Sequence, residues 1–478
     1  MKKYKSMSID SNFIYSTLGF TPPTENILYH AFRVANEPPF SDWHKDGDKN
    51  SVVFIIAYET YTLVTPTKEQ SNYLADIAIK NGATLLISDI KIKDYPCLVV
   101  PNVIDALYNL LSAFFDNFKP PTVAITGSIG KTTTKNFVHS LLNGADTLTF
   151  PSERGNANDI RGVVNSCCIS NVECDYLVKE VMEGPPAGTA KIISEIIKPD
   201  ISIITQTSNA HIEYFDNVEH IFDSSLEIQV GMPNNGILLL NGDDSYQANA
   251  KTSLKKMYYA IENKNADFLA TNIELSEHGT SFDLTHQNQT SKMYINYVGK
   301  HNVYNALSAI AVAKWAGISD DVIQERLLLE KPSDFRQNVL DFNGYLLYMD
   351  CFNASEDSMY SSFQSLMLFN DKKKVAVIGD IVELGQHAQA VHERIGKYIA
   401  ALDIDVLICY GEDSSYTAEH ASTNNTIKVF HSTKQETIVG VLNSNITKGD
   451  VVLFKASRAM KLEEIANEVF GTAFGIMK

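Results

Sequence analysis

The chain has 478 residues, 44% of them apolar and 20% charged, with a formal net charge of −17. That length suits about three domains, and the composition is that of ordinary globular protein. The acidic balance argues against tracking a nucleic-acid backbone, and no run of about 18 apolar residues is available to span a membrane.

The opening residues, MKKYKSMSIDSNF, carry lysines with no apolar stretch behind them, so no signal peptide is expected. Residues 1–118 read as a first α/β unit. SVVFIIA at 51–57, ATLLIS at 83–88 and residues 97–100 look like strands, and 72–80 and 106–115 have helical periodicity. Lys119-Pro120-Pro121 then reads as a linker. This unit shows no chemical motif. Six cysteines without C-x-x-C spacing suggest buried free thiols in a reducing cytosol.

Residues 119–330 alternate strands and helices, the pattern of a parallel sheet covered by helices. Its first stretch, TVAITGSIGKTTTKNFVHSLL at 122–142, is strand, glycine turn, then amphipathic helix. That architecture cradles phosphate: backbone N–H groups and the helix dipole converge on one spot. Lys131 can neutralise β/γ-phosphate oxygens and the Thr132 hydroxyl can ligate Mg²⁺. Gly127, Ser128, Gly130, Lys131, Thr132 and Thr133 are therefore the candidate nucleotide-binding residues. The longer G-x-x-x-x-G-K-[ST] pattern is not met, because Ile125 stands where its first glycine belongs. A helix start with an incidental lysine is the alternative, and the strand before with the helix after weighs against it.

Further strands are expected at 176–181, 201–205 and 236–241. Functional residues of such sheets gather beyond the C-terminal strand ends. Glu180 closes YLVKEV and His211 follows ISIIT after a short loop, so both fall at the same edge as the phosphate loop. A carboxylate, a hydroxyl and an imidazole there can hold Mg²⁺ around a nucleotide. Residues 331–478 alternate again, with strands expected at 374–379, 405–411, 427–431 and 450–456, as in a doubly wound α/β unit. Lys372-Lys373-Lys374 reads as a solvated turn.

Seven ordered motifs resemble those of the Mur ligases. TGSIGKTTTK (126–135) resembles the family's nucleotide loop, and RGNANDIRG (154–162) its asparagine-rich substrate loop, with Asp159 replacing one Asn. NAHIEYF (209–215), GKHNVYNALSAIAVA (299–313), DCFNASEDSM (350–359), GDIVELG (379–385) and KASRAMK (455–461) parallel its other signatures. The resemblance implies an α/β chain of three domains: an N-terminal substrate-binding domain over 1–118, a central P-loop ATP-binding domain over 119–330, and a C-terminal Rossmann-like ligase domain over 331–478. It also implies a cytoplasmic, monomeric, ATP- and Mg²⁺-dependent enzyme that joins a carboxylate to an amine through an acyl phosphate. Within the family, the motifs are closest to the branch that adds D-alanyl-D-alanine to a UDP-muramoyl tripeptide in peptidoglycan synthesis. Its substrates are small molecules.

The implied roles fall as follows. Lys131, His211 and Arg336 act on the reacting groups. Thr132 and Glu180 hold one Mg²⁺ and His211 a second. Asn302 and Asn305 contact adenine, and Arg336 and Asp350 reach ATP from the C-terminal domain. Asn156, Asn158, Asn353, Lys455, Ser457 and Arg458 serve the substrates.

Three positions depart from the family pattern. Ser225 occupies the place of a lysine that the family carbamylates to bridge Mg²⁺. Glu183 rivals Glu180 as the metal carboxylate. No D-S-R motif for a uridine is visible in the first unit. These departures keep two alternatives open: a Mur-like amide ligase acting on a surface glycan or natural product, and a nucleotide-binding scaffold without catalysis. Retention of Lys131, Thr132, Arg336 and Asp350 argues against the scaffold.

Overall fold

The computed structural model describes residues 3–34, 50–59, 62–92, 94–143, 149–150, 158–333 and 335–472. The first unit holds a parallel sheet of β1 (Phe32–Val34), β2 (Ser51–Phe54), β3 (Ala83–Ser88) and β4 (Cys97–Val99), in that order. Helix α1 (Lys68–Lys80) starts with a capping box between Thr67 and Gln70. Helix α2 (Val103–Asn117) starts on the Asn102 side chain, which accepts from the backbone N–H groups of Ile104 and Asp105. The strand expected over 51–57 stops at Phe54. Ala57–Glu59 turns away and pairs antiparallel with Thr62–Val64, so the apolar run serves two ribbons instead of one.

The central sheet is built around β5 (Thr122–Thr126), whose five residues are all buried. Such a strand needs apolar side chains on both faces. It leads into α3 (Lys131–Leu142). Its further elements include β6 (Thr149–Phe150), α4 (Ile160–Cys167), β7 (Tyr176–Glu180), β8 (Ile201–Ile204), α5 (Val218–Leu226), β9 (Ile237–Asn241), β10 (Lys255–Ala260), β11 (Phe268–Ser276), β12 (Gly279–His286), β13 (Gln289–Ile295) and α6 (Lys300–Trp315). The strand order is β6-β7-β5-β8-β9-β10-β11-β12-β13. Pairing is parallel through β11 and antiparallel from β11 to β13, so the parallel pattern expected from the sequence holds for part of the sheet only.

One apolar cluster joins Phe32, Phe54 and Phe114 of the first unit to Val163, Leu177, Ile193 and Leu238 of the central one. Tyr4–Lys5 also pairs antiparallel with Glu173–Cys174. The other face of the central sheet packs on α3 and α6 through Phe137, Val138, Ile203, Leu307 and Ile310. Each fully buried side chain of this kind contributes about 1.5–3 kcal/mol.

The third sheet comprises β14 (Asn338–Phe342), β15 (Tyr345–Met349), β16 (Lys374–Gly379), β17 (Val406–Tyr410), β18 (Lys428–Ser432) and β19 (Val451–Lys455). Its order is β14-β15-β19-β16-β17-β18, parallel apart from the β14–β15 hairpin. Helices α7 (Glu356–Leu366) and α8 (Ala388–Ala400) cover one face. Ile212 and Ile221 of the central unit belong to the same apolar cluster, so the loop after β8 is seated on the third unit.

Candidate active site

The phosphate loop leaves β5 through Gly127 (φ +118°) and enters α3 through Gly130 (φ +90°), both in the region that favours glycine. A Cβ at Gly127 would meet the Thr205 backbone N at 2.8 Å, and one at Gly130 would collide with the Asn305 carboxamide. The loop is pinned from β8: Thr205 donates to the Ile129 carbonyl at 2.6 Å, and Ser128 accepts from the Ser208 N–H at 3.1 Å. Thr133 continues the first helical turn.

Two carboxylates meet this loop, one on each side of the alternative the sequence left open. Lys131 pairs with Glu183 at 2.8 Å and also donates to the Gly127 carbonyl. Thr132 donates to Glu180 at 2.9 Å, and the other Glu180 oxygen accepts from Asn158 at 3.3 Å. The Glu183 side chain is 1% exposed, and its second oxygen is buried with no hydrogen-bond partner among the described residues. Hard oxygen donors of this kind suit Mg²⁺. Asn156 lies outside the described residues.

The third unit reaches the same place. Arg336 is half-buried, with its guanidinium carbon 4.0 Å from the Phe352 ring centre. Burial lowers its pKa, while the negative charges of Glu180 and Asp350 oppose that shift, so this arginine sits within reach of carboxylates from both units. Asp350 pairs with Lys455 at 3.2 Å and accepts from Ser362 at 2.5 Å. Lys455 donates to the Asn353 carbonyl at 2.6 Å. Ser457 accepts from the Val382 N–H at 3.0 Å. Arg458 is turned to Glu463 and lies 5.2 Å over Phe335.

Asn302 and Asn305 lie on α6 behind the phosphate loop. Asn305 donates to Asn302 at 3.2 Å and accepts from Thr134 at 3.3 Å. Asn302 donates to the Val298 carbonyl at 2.9 Å and to Gln337 at 2.5 Å. His301 shares Gln337 at 2.7 Å; burial lowers its pKa, the bond to Gln337 opposing.

His211 adopts a left-handed backbone (φ +60°), and its Nδ1 meets Glu383, itself at φ +63°. Among the described residues no hydrogen bond joins His211 to Thr132 or Glu180. His211 borders a separate cleft lined by Asn209, Asn353, Ser355, Val382 and Glu383, between the loop after β8 and the third unit. Asn209 donates to Glu356 there at 3.0 Å.

Glu383, Glu356, Gln337 and Lys135 were not singled out by sequence. Glu383, Glu356 and Lys135 do stand inside the matched motifs. For Lys135 a local signal existed: it follows Lys131 by four residues and Thr132 by three, on one helical face.

Comparison with known proteins gives a consistent picture. The family model described as Mur ligase middle domain matches residues 125–313, and that described as Mur ligase, glutamate ligase domain matches 335–458. UDP-N-acetylmuramoyl-tripeptide–D-alanyl-D-alanine ligase of Bacillus subtilis is 29% identical over 421 residues, covering 86% of this chain and 91% of the relative. The enzyme of the same name from Escherichia coli K12 is 29% identical over 398 residues, covering 82% and 86%. In three dimensions a crystal structure of MurF from Acinetobacter baumannii matches with a TM-score of 0.83 at 24% identity, covering 98% of this chain and 100% of that one. MurF ligase from Thermotoga maritima in complex with ADP matches with a TM-score of 0.75 at 23% identity, covering 92% and 97%.

Proposed function

We propose, because this chain belongs to the Mur ligase family, that it is an ATP-dependent ligase adding D-alanyl-D-alanine to a UDP-muramoyl tripeptide in peptidoglycan synthesis. The observation that carries the reading is the convergence on Glu180: Thr132 of the phosphate loop bonds it, and Arg336 of the third unit is drawn to it.

The reaction requires a tripeptide carboxylate oxygen to attack the γ-phosphorus of ATP, breaking the bond to the β-phosphate bridging oxygen and releasing ADP. The dipeptide amine then attacks the acyl carbon. A C–N bond forms, the C–O bond to phosphate breaks, inorganic phosphate leaves, and the amine loses a proton. Both steps bring negative groups together, so fixed positive charge is what the protein must supply.

Lys131 and the N–H groups of Gly127, Ser128, Gly130, Thr132 and Thr133 bind the phosphates. Nucleotide binding would draw Lys131 partly from Glu183 towards phosphate oxygens. Arg336 and Asp350 meet the nucleotide from the third unit, with Asn302 and Asn305 behind the loop. Thr132, Glu180 and Glu183 would hold Mg²⁺, which supplies charge neutralisation at the phosphates. Among the described residues no group of three or more His, Cys, Asp or Glu is arranged to hold a metal. Phosphate oxygens and water would complete such a shell, as Mg²⁺ commonly allows. His211 and Asn353 line the cleft where the amine side would bind, flanked by Lys455, Ser457 and Arg458. Asn158, which donates to Glu180, would serve the acceptor side.

Among the described residues no helix is long and apolar enough to cross a membrane. The enzyme works as a cytoplasmic monomer on small-molecule substrates. ADP release measured with UDP-muramoyl tripeptide, with and without D-alanyl-D-alanine, tests the reading. Release that requires both, with an amide product joining the two, is expected. Release indifferent to the amine, or none at all, overturns it.

A further inference from the structure

We propose that Lys135 is a second anion-binding lysine of this site, which together with Arg336 holds the carboxylate of the acceptor substrate beside the nucleotide. The proposal rests on the ligase reading and extends it to a residue with no assigned role.

Lys135 is 9% exposed, and among the described residues its ammonium makes no hydrogen bond or ion pair. A lysine whose stem is buried and whose ammonium bonds none of the described residues is placed to receive an anion. Its charged neighbours are the Glu180 carboxylate, the Arg336 guanidinium and the Lys179 ammonium. Glu180 is already shared by Thr132 and Asn158. Lys179 lies behind, fully buried and donating to Ser166 at 3.0 Å. Lys135 and Arg336 are thus two positive charges near Glu180, whose two oxygens are already engaged by Thr132 and Asn158.

The phosphates belong at the glycine turn and the N-terminus of α3, where Lys131 stands. Lys135 is one helical turn further on, about 6 Å along the axis, on the Glu180 side. A second anion placed there is close to the first without coinciding with it. In this reaction that second anion is a carboxylate, which must approach a phosphate that repels it.

The full-length protein is compared as wild type, Lys135→Met and Lys135→Arg, with ATP, UDP-muramoyl tripeptide and D-alanyl-D-alanine. Lys135→Met should lower kcat/KM for the tripeptide at least 10-fold while KM for ATP stays within about twofold. Lys135→Arg should recover most of the loss. Lys135→Met should melt no lower than wild type, since it removes a desolvated charge and keeps an apolar stem. An unchanged tripeptide kcat/KM, or a loss shared equally by ATP and tripeptide with a lowered melting temperature, overturns the proposal. A wild type without amine-dependent ADP release instead overturns the ligase reading on which it rests.

Discussion

The Asn209 carboxamide donates to the Glu356 carboxylate at 3.0 Å, tying the loop after β8 to the first turn of α7 in the third unit. Glu356 also accepts two bonds from Arg394, both at 2.6 Å, and one from Tyr360 at 2.7 Å. Its neighbour Asp357 is raised in pKa by burial and by the Glu356 charge, with a bond to Ser208 opposing. With His211 against Glu383, this network holds two units in one arrangement around the cleft.

Replacing Glu356 with Gln should loosen that arrangement. Hydrogen bonds to charged groups contribute about 1.5–3 kcal/mol, and ligase turnover should fall with little change in KM for ATP. Burial pushes the Glu356 carboxyl up, but Arg394 and Tyr360 outweigh it and hold the group below the usual 4.5. A depressed carboxylate contributes its stability above the unfolded value and loses it as pH falls through the folded one. The melting-temperature gap between wild type and Glu356→Gln should therefore be constant above about pH 4.5 and close below it. Small-angle scattering should show the wild type compacting with an ATP analogue and both substrates, and the variant less so. Identical profiles with and without ligands would count against closure as part of the cycle.

Lys131→Ala should reduce ATP turnover by about 10²–10³-fold, or roughly 3–4 kcal/mol of barrier. It also strands Glu183, which is 1% exposed and whose second oxygen has no partner among the described residues. The variant should melt below wild type for that reason. Adding Glu183→Gln should restore much of the stability and none of the turnover. Turnover within a few-fold of wild type would remove this loop from the chemistry.

The phosphate loop was legible because its determinants are local: a doubly buried strand, two glycines at positive φ, and a helix with Lys131 and Thr132 in its first turn. The antiparallel extension β11–β13 and the β14–β15 hairpin were missed, although local signals existed. Gln287-Asn288 and Asn343-Gly344 are two-residue loops with positive φ at both positions, and Asn-Gly between alternating residues marks such a turn. The pairing of Asn209 with Glu356 was not legible in the same way. It joins residues 147 apart, and nothing near either one specifies the other. Long-range polar pairs depend on how two sheets come together, which periodicity does not encode.

Gly130→Ala should weaken nucleotide binding and lower the melting temperature. The residue sits at φ +90°, and a Cβ there meets the Asn305 carboxamide. A left-handed backbone disfavours alanine by about 1–2 kcal/mol before any clash is counted. Adding Asn305→Ala removes the clash but leaves the backbone term. The double variant should therefore recover part of the stability of Gly130→Ala, measured by thermal unfolding. Full recovery would show that the turn tolerates a side chain and that Asn305 alone demands the glycine.

Ser225 bears on how far this chain departs from lysine-bearing relatives. It is 2% exposed, and its hydroxyl donates back to the Ile221 carbonyl of α5 at 3.1 Å, a common fate of serine inside a helix. The adjacent Ser224 donates to the Glu183 backbone carbonyl, so this part of α5 sits against the segment that carries the site's carboxylates. A carbamate offers two anionic oxygens to a metal, whereas a serine hydroxyl offers one neutral oxygen, here committed to its own helix. Activity should therefore be present without bicarbonate, should not respond to it, and should require more Mg²⁺ than a lysine-bearing relative. Ser225→Lys places a long chain where a hydroxyl now packs, and overpacking of that kind costs about 1–3 kcal/mol. The variant should melt lower and gain no activity. ADP release titrated against Mg²⁺, with and without bicarbonate, on wild type and Ser225→Lys separates the possibilities. Amine-dependent turnover in the variant alone would mean that catalysis was lost with the lysine, and that the native chain binds nucleotide without using it.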